Sequence, residues 1–125
     1  MLQHKHLIFR IETKTPPKDV DVITNWLADL VKRLGMELYA GPFVKYLDEP
    51  GNRGATGVCI IKTSHIALHV WDETDPGIMQ LDVYTCGCME LNDVVSALEV
   101  FQPTKVEYKF LDREHDLTLL AEGHV

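Results

Sequence analysis

The stretch KTSHIALHVWDE, residues 62 to 73, sets Ser64, two histidines (His65 and His69), Trp71 and the carboxylates Asp72 and Glu73 within twelve positions. Hydroxyl, imidazole and carboxylate groups are the side chains of nucleophilic and general acid–base chemistry. Their spacing tests two simple readings. His65 and His69 would pair on one metal ion if the segment were a helix, but its β-branched, alternating character argues for a strand, where such residues stand about 13 Å apart. His4 and His6 share a face of the first strand without a carboxylate or cysteine at clear ligand spacing, so no metal is expected. A Ser-His-acid hydrolase would present its serine in a G-x-S-x-G elbow before a helix, whereas Ser64 lies between two strand-like runs. The bland alternative is a half-buried strand with a polar face, in which Ser64 is a turn residue, His69 a solvated histidine and Glu73 a surface carboxylate.

The elements that would position these groups follow from hydrophobic periodicity. HKHLIFRIET (4–13) alternates as a strand through Leu7, Phe9 and Ile11. TPPKDVDVITNWLADLVKRLG (15–35) reads as a helix, with Thr15 before two prolines as its start, Val20, Ile23, Leu27, Leu30, Val31 and Leu34 on one face, and Gly35 as its stop. MELYAGPFVKYL (36–47) suggests a strand broken near Gly41-Pro42, and DEPGNRGA (48–55) a polar loop. Strand-like runs follow in TGVCIIKT, SHIALHVW and IMQLDVYTC, the last two joined by the turn DETDPG. LNDVVSALEVF (91–101) has helical spacing, and KVEYKFLD alternates again after Pro103. The expectation is one α+β domain over 1–125, with two helices packed on one face of a mainly antiparallel sheet of about six strands. A sheet covered on one face only predicts a sheet-mediated dimer.

Composition bounds the function. The 125 residues are 46% hydrophobic and 25% charged, the balance of a globular chain, and the formal net charge of -7 repels nucleic acid and anionic lipid. No apolar run reaches the roughly 20 residues of a membrane span, and the first residues lack the pattern of a secretory signal, so a cytoplasmic protein is expected. Three cysteines, with Cys86 and Cys88 separated by one residue, fit neither a disulfide framework nor a zinc knuckle, and Cys59 reads as a core residue.

Two segments together carry a resemblance. GATGVCIIKTSHIALHVWDE (54–73) and LDVYTCG (81–87) resemble the S-adenosylmethionine decarboxylase family in its short prokaryotic form, and KHLIFRIE is similar to the family's first strand. The resemblance implies a proenzyme that cuts itself between residues 63 and 64 and converts Ser64 into a pyruvoyl group, the electron sink for decarboxylating S-adenosylmethionine to supply polyamine synthesis. It further implies that His69 is the base assisting elimination, Cys86 the donor that reprotonates the product carbon, Thr56 a processing hydroxyl, Glu73 the carboxylate for the ribose hydroxyls, and Tyr46 near the aromatic that stacks on adenine.

The sequence departs from the family pattern in three places. Thr63 stands where a glutamate precedes the reactive serine, Thr56 replaces a serine, and the loop DEPGNRGA is longer. A β-branched residue at 63 alters the strain and packing around the bond to be cut. Two other readings therefore stand beside the first: a pyruvoyl decarboxylase of another amino acid such as arginine or ornithine, and an unprocessed, non-catalytic homologue with a binding or regulatory role. Glu73 favours the nucleoside substrate, whereas Thr63 favours the unprocessed homologue.

Overall fold

A computed structural model describes residues 3–125. Seven strands form a single sheet: β1 (Lys5–Thr13), β2 (Leu38–Leu47), β3 (Gly54–Ile61), β4 (Ser64–Trp71), β5 (Gly77–Thr85), β6 (Pro103–Asp112) and β7 (Leu119–His124). Their order across the sheet is β2-β3-β4-β5-β1-β6-β7, and every neighbouring pair is antiparallel. Helices α1 (Val20–Arg33) and α2 (Leu91–Leu98), the latter continued by a short 3-10 turn at Glu99–Phe101, follow β1 and β5. Among the described residues, no helix is long and apolar enough to cross a membrane.

The two faces of the sheet differ because side chains alternate along each strand. Leu7, Phe9 and Ile11 of β1, Ile66, Leu68 and Val70 of β4, and Met79, Leu81 and Val83 of β5 are buried against the helices. α1 meets them with Ile23, Trp26, Leu27, Leu30 and Val31. The intervening residues face the other way: His6, Ile8, Arg10, His65, Ala67, His69, Gln80, Asp82 and Tyr84 line an open face that neither helix covers. On this face Phe43 and Ile60 are 56% and 45% exposed, which leaves apolar surface uncovered.

Several boundaries differ from the sequence expectation for identifiable reasons. Asp19, not Thr15, caps α1, its carboxylate accepting from the Asp21 and Val22 amides at 2.8 and 3.3 Å. Thr15 instead donates its hydroxyl to the Phe101 carbonyl at 3.3 Å, tying the β1–α1 connection to the end of α2. β2 is continuous through Gly41-Pro42 and absorbs them as register shifts. The seventh strand, β7, is an edge strand pairing with β6; Leu119 and Leu120 are exposed, so it carries no alternating apolar signature.

Gly54 marks a close approach of β3 to the end of β4. A Cβ there would lie 1.7 Å from the Val70 carbonyl oxygen, an obstruction made of backbone that no rotamer change relieves. Gly54→Ala is therefore expected to destabilise the fold by about 3 kcal/mol, the upper end of the overpacking range. A urea midpoint within error of the parent's, at unchanged slope, would contradict this contact.

Candidate active site

The β3–β4 hairpin turns through only two residues, Lys62 and Thr63, because Ile61 pairs directly with Ser64. Thr63 sits at φ 57, in the left-handed region that costs a β-branched residue most. Cys86 arrives from the end of β5, which lies beside β4. Its sulfur is 2.7 Å from Thr63 Oγ1 and 3.6 Å from the Lys62 carbonyl oxygen. That same carbonyl accepts from Thr63 Oγ1 at 2.8 Å and from Ser64 Oγ at 3.2 Å. Ser64, Thr63 and Cys86 thus form one cluster. The hollow beside Ser64 and Thr63, of about 760 Å³, is also lined by Tyr39, Ile60, His65 and Tyr84.

His69 belongs elsewhere in the same chain. It is five residues from Ser64, hence on the opposite face and about 16 Å further along β4. Its Nδ1 is 3.1 Å from Thr56 Oγ1, directly across the β3–β4 pair. This second cluster opens into a different groove, of about 900 Å³, with Arg10, Gln80, Asp82 and Glu107 along its walls. One protomer therefore pairs Ser64 with Cys86 and Thr56 with His69, and does not bring the two pairs together.

Glu73 lies beyond the end of β4, in a third hollow with Arg53, Trp71, Arg10 and Gln80. Its carboxylate accepts from the Arg53 amide at 2.8 Å and the Gly51 amide at 3.2 Å, and Trp71 Nε1 donates to Asn52 at 3.0 Å. These bonds fix the long 48–53 loop. The Arg53 and Gly51 amides, helped by the Arg53 charge, hold the Glu73 carboxyl below its usual range. Tyr46 is turned toward the helix face: it pairs with Ala55, packs against the core and donates its hydroxyl to Asp72 at 2.8 Å. Burial pushes the Cys59 thiol up to about 11, as suits an inert core cysteine.

Sequence reasoning missed a polar row on the open face. His65, Tyr84 and His6 lie side by side across β4, β5 and β1. Asp82 bonds His6 Nε2 and lies 3.7 Å from His65 Nε2, while Arg113 stacks 4.0 Å above the Tyr84 ring with its Nη1 3.3 Å from His6 Nδ1. Burial pushes the Asp82 carboxyl up, but the His6 hydrogen bond and the charges of His6 and His65 together bring it below its ordinary value. Strand parity alone puts these residues on one face; only the register makes them neighbours.

A family model described as S-adenosylmethionine decarboxylase matches residues 6–114, which include both clusters. The chain belongs to the S-adenosylmethionine decarboxylase family. Among its relatives, the S-adenosylmethionine decarboxylase proenzyme of Persephonella marina is 31% identical over 75% of this chain and 68% of that protein. The proenzyme of Pyrococcus abyssi is 36% identical over 72% of this chain, a match that spans 60% of that protein's own length. The crystal structure of the adenosylmethionine decarboxylase from Aquifex aeolicus superposes with a TM-score of 0.65 at 22% identity, over 90% of this chain and 91% of that one. The Trypanosoma brucei AdoMetDC-delta26 monomer gives 0.55 at 12% identity, over 86% of this chain and 45% of that one. At such identities the structural matches speak for the decarboxylase fold, while membership of the S-adenosylmethionine decarboxylase family, a family of carboxy-lyases, rests on the sequence.

Proposed function

We propose that this chain is a self-processing proenzyme that cuts itself at Ser64 and then decarboxylates S-adenosylmethionine, feeding polyamine synthesis in the cytoplasm. The observation that carries the reading is the gathering of Ser64 and Cys86 at a strained two-residue turn in a chain of this family. Ser64 Oγ attacks the carbonyl carbon of Thr63, and the resulting ester eliminates to free the carboxylate of Thr63. The site suits a pyruvoyl group at residue 64, since the new N-terminus would stand at the mouth of a hollow with a thiol beside it. Once formed, that group supplies a carbonyl able to withdraw the electron pair released with carbon dioxide. Cys86 holds a proton for the product carbon, and Tyr84 and Tyr39 offer aromatic surface to the substrate.

The same reading assigns His69, with Thr56, to the elimination step, which requires a second protomer. The open face carries exposed Ile8, Phe43 and Ile60, and we place the dimer interface there. A two-fold interface between open faces makes each contact twice, so Thr56 and His69 of one protomer can approach the turn of its partner through the hollow that Ile60, His65 and Tyr84 line beside Ser64, at two equivalent sites. Glu73 would approach the nucleoside from that second protomer as well; it then keeps its loop-fixing bonds and uses its remaining lone pairs for ribose.

Processed protein is expected to release labelled carbon dioxide from carboxyl-labelled S-adenosylmethionine and not from arginine or ornithine. Cys86→Ala should lower that turnover by about a hundredfold while sparing self-cleavage, since only the second reaction needs the proton. Equal rates on amino acids without the nucleoside would transfer the assignment to another pyruvoyl decarboxylase. Thr63, in place of the family's glutamate, favours the alternative of an unprocessed binding homologue, which would bind S-adenosylmethionine in calorimetry without ever splitting.

A further inference from the structure

The hydrogen bonds at the β3–β4 turn converge one residue earlier than processing at Ser64 requires. Thr63 Oγ1, Ser64 Oγ and Cys86 Sγ all approach the carbonyl oxygen of Lys62, at 2.8, 3.2 and 3.6 Å. Among the described residues, no side chain donates to the carbonyl of Thr63 itself. The polarised carbonyl is therefore the one that precedes Thr63, and Thr63 carries a hydroxyl of its own. We propose that Thr63 is a second self-cleavage nucleophile, cutting the Lys62–Thr63 bond and leaving a 2-oxobutanoyl group at the N-terminus of the downstream fragment. The inference rests on the reading that this turn processes itself, and adds a second register to it.

Three features of the turn support the step. Donors on the Lys62 oxygen stabilise the negative charge that develops there during attack, the role of an oxyanion hole. Cys86 Sγ, 2.7 Å from Thr63 Oγ1, holds that hydroxyl beside the Lys62 carbonyl, where solvent reaches the exposed turn to take its proton. Thr63 at φ 57 is held in a conformation that disfavours a β-branched residue, and turning its amide into an ester frees that torsion. A glutamate at this position has no β-hydroxyl and offers no such reaction.

The chemistry balances with water alone. As Oγ1 bonds to the Lys62 carbonyl carbon, its proton passes to solvent hydroxide; the C–N bond then breaks and the Thr63 nitrogen takes a proton from water to become a free amine. Solvent hydroxide removes the Thr63 Cα proton, and the Cβ–O bond breaks with its electron pair leaving on the Lys62 carboxylate. The resulting 2-aminobut-2-enoyl terminus tautomerises to an imine, which takes up water and releases ammonia. No outside oxidant is needed, because loss of the β-oxygen accounts for the change at Cα.

Ser64→Ala separates the two registers. Incubated at several pH values and followed by intact mass, this variant, which loses the Ser64 donor but keeps the Cys86 thiol on the Lys62 oxygen, is expected to split slowly into residues 1–62 and a 63–125 fragment blocked to Edman sequencing, and phenylhydrazine should trap the new carbonyl. Thr63→Val added to Ser64→Ala should slow this cleavage at least tenfold. Thr63→Ser in the same background, which keeps the hydroxyl, should preserve it and lighten the terminal group by one methylene. A Ser64→Ala protein that stays whole, while the parent splits between Thr63 and Ser64, overturns the second register and leaves the proposed function standing. A parent that never splits removes both.

Discussion

Ser64→Ala should leave the Thr63–Ser64 bond uncut under conditions in which the parent yields fragments of 63 and 62 residues. The acyl shift needs a hydroxyl one bond from the carbonyl it attacks, and alanine supplies none, so this bond's cleavage should fall to background. Ser64→Cys keeps a nucleophile at that position and should cut slowly, which guards against reading a folding defect as a chemical one. Intact mass and Edman sequencing follow both outcomes. Fragments separated between residues 63 and 64 in the alanine variant would mean that hydrolysis by a contaminant, and not this side chain, opens the turn.

The second large effect concerns where the site is completed. Cys86→Ala and His69→Ala are each expected to be strongly impaired as homodimers, because one lacks the proton donor and the other the group that assists elimination. Mixed dimers, made by co-expression with two tags, contain one site built from the intact Cys86 side of one protomer and the intact His69 side of the other. One intact site of the two in each doubly tagged dimer should return roughly half of parental turnover. The physical basis is the five-residue spacing on β4, which sends the Ser64 and His69 side chains to opposite faces of one strand. Dimers verified by native mass spectrometry that recover nothing would place the whole site within one chain.

Much of the framework is legible in single residues. The period of Ile23, Leu27, Leu30 and Val31 specifies α1 and its buried face, and strict alternation in SHIALHVW gives β4 its limits and its two faces. The 63–64 neighbourhood could be singled out because its residue types and their linked spacing resemble a family pattern. Spacing alone also shows that Ser64 and His69 cannot meet along one uninterrupted strand.

Other features depend on partners far away in the chain. Cys86 reaches Thr63 only because β5 lies beside β4 in the sheet, a choice made by burying the apolar faces of both under α1 and α2. The register shifts in β2 decide that Tyr46 faces the core and Asp72 instead of the open sheet, and no local pattern announces a bulge of that kind. The edge strand β7 is held by pairing with β6 more than by burial, so its sequence lacks the alternation that would reveal it. Sequence by itself determined the elements up to β6, the family and the residues able to react, because periodicity and side-chain chemistry are local properties. Tertiary structure alone decided which carbonyl the hydroxyls of Thr63 and Ser64 approach and which thiol joins them, because hydrogen-bond geometry at a turn is set by strand register across the whole sheet.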